Sequence, residues 1–189
     1  MIDQIRDQRE KLLKENVDIK VLAITTIDGM NLCEDGLDLT NWREDLKTPM
    51  FKFGPENVDD IIKFVKEKKP LNPVFVDCTA SYDLPDRYLD ILNAGMSIAT
   101  PNKRANSKNI EFYHELRRVA NKMHRRFLYE TNVGAGLPII DTLQNLYKSG
   151  DKLTSFNGIM SGSLSYIFGK LDEGVSFSKA VLEAKELRY

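Results

Sequence analysis

Cysteine and histidine are scarce, at two of each in 189 residues. Cys33 and Cys78 show no C-x-x-C spacing and lie in unrelated settings, which argues against a disulfide scaffold or a zinc site and suits a reducing compartment. At His114 the sequence reads "HEL", but Arg118 stands where a zinc-protease helix needs its second histidine. His124, in "KMHRR", reads as a complement to a helix C-terminus. No Ser/His/Asp or Cys/His arrangement can be assembled from the spacing. An excess of one charge sign is also missing: 27 basic residues against 28 acidic ones give a net charge of -1. No overall field therefore draws the chain to nucleic acid or to an anionic membrane. No apolar run approaches the roughly 20 residues that a helix needs to cross a bilayer. The opening "MIDQIRDQREKLLKEN" has neither the apolar block of a signal peptide nor the acid-poor character of a transit peptide, so a cytoplasmic location is expected. A dinucleotide loop G-x-G-x-x-G is missing too. Its nearest match, "GAGLPI" from Gly134, has Ile139 in place of the last glycine and follows several strand-like runs instead of the first.

What is present is an alternation of β-branched runs and helical patterns. Strands are expected at "IKVLAIT" (19–25), "PVFVDCT" (73–79), "SIAT" (97–100), "RFLYET" (126–131) and "KLTSFNGIM" (152–160). Between them, "PENVDDIIKFVKEKK" places Val58, Ile61, Ile62 and Val65 at helical spacing, and "DLPDRYLDILNAG" ends in a glycine where a C-cap is wanted. A longer helix is expected from an N-cap at Ser107 through "NIEFYHELRRVANKMH", with basic residues stacked in its last turns. Another begins at Ser176 and sets Phe177, Ala180, Val181, Ala184 and Leu187 on one face. The stretch "DGMNLCEDGLDLTNW" (28–42) reads as the longest irregular segment. Strands alternating with helices imply an α/β fold with a parallel sheet covered on both faces. Because the pattern opens on an amphipathic helix and closes on a helix with no cap, the sheet is expected to be incomplete, with its first strand missing.

Three places carry candidate chemistry. Lys103, in "SIATPNKRANS", follows a strand end on a Pro-Asn turn, where open α/β sheets bind their ligands; a solvated lysine beside Arg104 is the simpler alternative. In "VDCTAS", Thr79 and Ser81 sit where hydroxyls and backbone amides can meet a nicotinamide ribose, or else close a turn by local hydrogen bonds. Cys78, flanked by apolar residues, reads as core. The segment "YETNVGAGLPII" (129–140) turns sharply after a strand before Pro138 starts a helix. A plain tight turn and an ion site with inward-facing carbonyls are both open.

Together "VFVDCTAS", "ATPNKRANS", "FLYETNVGAGLPIIDTLQNL" and "GIMSGSLSYIFGKLDEG" resemble homoserine dehydrogenase, most closely the dehydrogenase portion of bifunctional aspartokinase/homoserine dehydrogenases. The resemblance is weakest before Asn41 and strong from Val74 onward. It implies a Rossmann-like cofactor domain over residues 1–131 and the beginning of an α/β substrate-binding and dimerisation domain over 132–189. It further implies reduction of L-aspartate 4-semialdehyde to L-homoserine with NADPH or NADH, in a homo-oligomeric parent. Carried over by position, Thr79 and Ser81 approach the cofactor, and Lys103 reaches the nicotinamide ribose and the substrate as the catalytic ammonium. Gly162, in "SGSLSYI", lets backbone lie close to the substrate. Glu130 and the carbonyls of Val133, Ala135 and Leu137 match a monovalent-cation loop. Oxygens from every second residue of an extended loop point the same way, and hard oxygen ligands suit sodium. The family's opening strand with its Gly-rich loop is absent, as is the later segment bearing Asp and a second Lys, so a fragment with half the site, unable to turn over alone, is expected. The last residues, Leu187, Arg188 and Tyr189, depart from the family's usual glycine. "ITTIDGM" departs from its Asn-containing loop near the adenosine and leaves NADP against NAD open. Two other readings stand beside this one: a non-catalytic interaction module, and a related NAD(P) oxidoreductase acting on another semialdehyde.

Overall fold

The computed structural model describes residues 1–52, 54 and 56–187. Expectations placed on Pro55, Arg188 and Tyr189 lie outside the described residues. The chain divides into two compact units, Met1–Val74 with Arg87–Ser97, and Phe75–Asp86 with Ile98–Tyr189.

In the first unit, helix α1 (Ile2–Lys14) precedes a sheet of β1 (Ala23–Thr25), β2 (Gly29–Leu32) and β3 (Phe51–Lys52). Both pairings are antiparallel, with Thr25 opposite Met30 and Met30 opposite Phe51. The sequence reading left 28–42 irregular and expected only parallel pairing, and the structure corrects both. The reason is local: Asp28-Gly29 between apolar runs is a hairpin signal, and the turn is closed by the Thr26 amide donating to the Gly29 carbonyl at 2.9 Å. Gly29 has φ +154°, and a Cβ there would collide with the Phe51 carbonyl and the Pro49 ring, so the close approach of β3 requires glycine. The strand expected over 19–25 shortens to its last three residues, Ala23–Thr25. Buried Asn31, on β2, ties down the following loop: its amide donates to the Asp45 carbonyl at 3.1 Å and accepts from the Met50 amide at 2.7 Å. Helices α2 (Trp42–Asp45), α3 (Glu56–Lys68) and α4 (Tyr88–Asn93) complete the unit. Among the described residues its buried apolar side chains are Met30, Leu46, Ile62, Val65, Tyr88, Ile91, Leu92 and Met96. Helix α4 ends as its sequence suggests: Gly95, at φ +87°, donates to the Leu92 carbonyl and Met96 donates to that of Ile91, the paired bonds of a Schellman cap.

Helix α1 buries none of its residues, though Ile2, Ile5 and Leu12 are half-buried, and its polar anchor is the Asp3 carboxylate. Asp3 accepts from the Trp42 indole N–H at 3.0 Å and takes both ends of the Arg43 guanidinium. The Arg43 hydrogen bonds, then that of Trp42, hold the Asp3 carboxyl down at about 2. A carboxyl depressed below its unfolded value of about 3.9 contributes stability above that pH and loses it as the pH falls toward 2. The attachment of α1 is therefore expected to weaken between about pH 4 and pH 2. Trp42 is the chain's one tryptophan, so its fluorescence reports the change, and Asp3→Asn should flatten that titration. A transition that persists unchanged in the variant would show that Asp3 is not its cause.

The second unit is built on a sheet of order β4-β5-β6: β4 (Val74–Val76), β5 (Ser97–Ala99) and β6 (Phe127–Leu128). Strands β5 and β6 are parallel, with Ile98 opposite Phe127 and Ala99 opposite Leu128, as the alternation of strands and helices implies. The following residues continue the ladder, since Asp77 donates to the Ala99 carbonyl at 3.1 Å and Thr100 to that of Leu128 at 2.9 Å. Helix α5 (Ile110–Lys122) buries Leu116, Val119 and Ala120. Its N-cap is Asn109, whose side chain accepts from the Phe112 amide at 2.8 Å, and not Ser107 as expected. Ser107 instead closes a 3₁₀ turn over Arg104–Ser107, its hydroxyl donating to the Lys103 carbonyl at 3.2 Å. Asn109 wins because it has the extended backbone of an N-cap, with φ −62° and ψ 161°.

Three helices follow: α6 (Ile139–Lys148), α7 (Gly162–Asp172) and α8 (Phe177–Glu186). The strand expected over 152–160 is not formed; those residues are exposed and irregular. A β-branched run becomes a strand only where another strand satisfies its backbone, and none of the described strands pairs with it. Helix α8 begins after Ser176 as expected, but only Ala180 and Ala184 of its apolar face are buried, while Phe177 and Leu187 are exposed.

Candidate functional site

The loops that follow β4 and β5 carry the candidate residues, and both run from the carboxyl ends of adjacent strands. After β4 the chain turns in small steps, each closed by a side chain. The Thr79 amide donates to Asp77 Oδ1 at 2.7 Å, the Ser81 amide to Thr79 Oγ1 at 3.1 Å, and the Asp83 and Leu84 amides to Ser81 Oγ at 3.2 and 3.1 Å. Thr79 and Ser81 thus do make the local turn that the sequence left open. Both hydroxyls serve there as acceptors, and a hydroxyl that accepts still has its O–H to donate. Thr79 is exposed and Ser81 half-buried, so those protons can be offered outward. Cys78 is exposed just beyond β4, not core as expected, because the strand ends at Val76.

After β5, Lys103 occupies the N-cap of the 3₁₀ turn, with its ammonium exposed. Its neighbours are fixed. Asn102 is buried; its Nδ2 donates to Asp77 Oδ2 at 3.1 Å and to the Ser81 carbonyl at 3.0 Å, while its Oδ1 accepts from the Arg104 amide at 3.0 Å. The Thr100 hydroxyl donates to the Asp77 carbonyl at 2.9 Å and accepts from the Asn102 amide at 2.9 Å. Outside this knot the Arg104 guanidinium lies 3.6 Å over the Tyr82 ring, a second bond between the two loops. Sequence reasoning named Asp77 only as part of the β4 motif and missed Asn102 as the residue that joins the loops. A Pro-Asn turn signals a bend, but nothing in it says which neighbour the asparagine will reach.

A further chain of amides leads to the segment after β6. Asn106 donates to Asn132 Oδ1 at 2.8 Å, and Asn132 donates to the Thr100 carbonyl at 3.2 Å. Arg117 supports Asn106 from behind, donating to its Oδ1 at 3.1 Å while its guanidinium lies 3.3 Å over Tyr113 and 4.9 Å over Tyr129. Glu130 has a different task from the one expected. The N-cap of α6 is Pro138, which has no side-chain acceptor, and the Glu130 carboxylate supplies what is missing: Oε1 accepts from the Ile140 amide and Oε2 from the Asp141 amide, both at 2.8 Å. Nor is the loop extended. Gly134 and Ala135 have φ +75° and +52°, and the Leu137 amide closes the turn on the Gly134 carbonyl at 2.9 Å. That breaks the every-second-residue pattern that would aim the carbonyls of Val133, Ala135 and Leu137 together, and the Leu137 carbonyl already accepts from Ile139 at 2.9 Å. Gly134 cannot be replaced freely, since its φ of +75° is one that L side chains rarely adopt. The Glu130 carboxylate thus caps α6, and no chemistry is derived through a cation. Gly162 opens α7 behind the Ser161 cap; it is exposed, and a Cβ there would meet nothing within 4 Å.

Loops locked to each other at the carboxyl edge of a parallel sheet define an α/β protein of Rossmann-like type. The particular family follows from comparison with known proteins. Residues 1–130 match the family described as homoserine dehydrogenase, NAD binding domain, and residues 138–189 match the one described as homoserine dehydrogenase. The chain belongs to the homoserine dehydrogenase family. It is 46% identical over 186 residues to a bifunctional aspartokinase/homoserine dehydrogenase of Haemophilus influenzae, and 43% identical over 189 residues to one from Buchnera aphidicola. The matches cover 98% and 100% of this chain but 22% and 23% of those proteins. Among solved structures, a hyperthermophilic archaeal homoserine dehydrogenase in complex with NADPH superposes with a TM-score of 0.69 at 27% identity, covering 96% of this chain and 57% of that one.

Proposed function

We propose that the chain supplies the nicotinamide side of a homoserine dehydrogenase that reduces L-aspartate 4-semialdehyde to L-homoserine with NADPH or NADH. Beyond family membership, the observation that carries this reading is the convergence of Thr79, Ser81 and Lys103 on two loops fastened together through Asn102. When bound, the nicotinamide supplies the hydride. The chain's own residues do the rest. The Thr79 and Ser81 hydroxyls, each with an O–H still to donate, would hold the nicotinamide ribose. The Lys103 ammonium lies beside the substrate carbonyl, offers a proton, and stabilises the alkoxide as charge develops. Gly162 is the substrate-side contact, where open space around the backbone leaves room for a ligand. Residues 1–131 form the cofactor domain and 132–189 begin the substrate-binding and dimerisation domain. Exposed Phe156, Ile159, Phe168 and Leu182 support a covered surface in a homo-oligomeric parent in the cytoplasm.

Titration of the ¹⁵N-labelled chain with NADPH tests the reading. Amide shifts are expected at residues 78–83 and 100–105 and not in α7. Their absence at NADPH concentrations of about 10 mM, far above the micromolar to millimolar range usual for enzyme substrates, would refute it.

A further inference from the structure

We propose that Asp77 and Asn102 form a positioning pair that locks the Lys103 loop in register with the Thr79–Ser81 loop, so that ammonium and hydroxyls act as one binding set; this rests on the nicotinamide reading above. Asp77 is 1% exposed and Asn102 4%, so neither reaches a ligand. Their reach is internal. One carboxylate oxygen of Asp77 accepts from the Thr79 amide at 2.7 Å, and the other accepts from Asn102 at 3.1 Å. Asn102 then spends its second N–H on the Ser81 carbonyl at 3.0 Å and its oxygen on the Arg104 amide at 3.0 Å. Lys103 lies between Asn102 and Arg104, so a single side-chain amide fixes the backbone on both sides of it. The relay from the Thr79 amide through the carboxylate and the side-chain amide to the Arg104 amide spans both loops by direct hydrogen bonds.

An apolar pair would avoid the desolvation that a buried carboxylate incurs. It would also lack directional bonds, whereas the carboxylate and amide present acceptors and donors at fixed angles, which is what registering two loops demands. Neither residue is catalytic, because both act through the backbone of the residues that face the ligand.

The test compares Asn102→Asp with the unaltered 189-residue chain. The change keeps the shape and the acceptor for Arg104 but sets acceptor against acceptor at both Asp77 and the Ser81 carbonyl. The Thr79 amide, on the other loop, is expected to exchange with solvent about tenfold faster, while α8 amides stay within about twofold. The NADPH-induced shifts at Ser81 and Lys103 should then require about tenfold more NADPH. The reciprocal double variant Asp77→Asn/Asn102→Asp restores a donor between the two side chains and should recover part of the Thr79 protection. If Asn102→Asp does not fold, Asp77→Asn, which leaves the Thr79 acceptor in place and turns donor toward donor, serves the same two readouts. Unchanged Thr79 exchange with α8 intact would overturn the coupling. Unchanged NADPH dependence would overturn the positioning role while leaving the nicotinamide reading in place. A chain that shows the exchange response but no NADPH shifts in its unaltered form would retain the coupling and refute the cofactor assignment.

Discussion

Asp77→Ala should lower the stability of the second compact unit by about 2–4 kcal/mol, read from amide exchange at Ile98 and Thr100. The magnitude follows from what the carboxylate leaves behind. A buried donor stripped of its acceptor costs about 1–3 kcal/mol, and a hydrogen bond to a charged group contributes more than a neutral one. Asn102 is buried, so its orphaned N–H meets the full penalty; Thr79 is exposed, so water can replace part of what its amide loses. Ile98 and Thr100 are suitable reporters because their amides donate across the sheet to the Arg126 and Leu128 carbonyls at 2.8 and 2.9 Å. Asp59 provides the contrast: it too is a carboxylate with a firm partner, the Arg87 guanidinium, but both lie in solvent contact, and its replacement should cost at most about 1 kcal/mol. Equal losses at Asp77 and Asp59 would mean that burial of the Asp77 network carries no special weight.

The sequence announced the second unit better than the first. Runs of Val, Ile and Phe located β4, β5 and β6, although the strands are shorter than the runs and end at Val76, Ala99 and Leu128. The place of Lys103 was legible in the same way: it follows β5 on the turn that its Pro-Asn pair signals. In the first unit the antiparallel hairpin escaped notice although Asp28-Gly29 marks it, since the polar residues beyond it dominate the window from 28 to 42. The segment 152–160 has the composition of a strand but not the neighbour that makes one. Glu130 is the sharpest case. Its match to a cation loop came from the family resemblance, and only the fold reveals that a helix starting at Pro138 has amides with no acceptor of their own. Spacing identifies which residues can come together; it does not say which competing donor arrives first.

Lys103 carries the largest expected effect on chemistry. We place the chain in a chimaera, substituting it for the matching segment of the Haemophilus influenzae relative, with which it shares 46% identity. Lys103→Met in that protein is expected to lower kcat for NADPH-dependent reduction of L-aspartate 4-semialdehyde by about 10²–10³-fold, the loss typical of removing one donor to a developing oxyanion. Methionine keeps the length and apolar stem of lysine and removes only the ammonium. KM for NADPH should rise less than kcat falls, because the proposed ribose contacts of the Thr79 and Ser81 hydroxyls are left in place. Lys103→Arg separates charge from geometry: it keeps a cation, but a planar, strongly basic one that neither gives up a proton readily nor occupies the same point, so it should remain well below the parent. A loss in Lys103→Met of less than about tenfold would mean that this ammonium does not face the reacting carbonyl, and would return Lys103 to the exposed lysine that its bare sequence context also allowed.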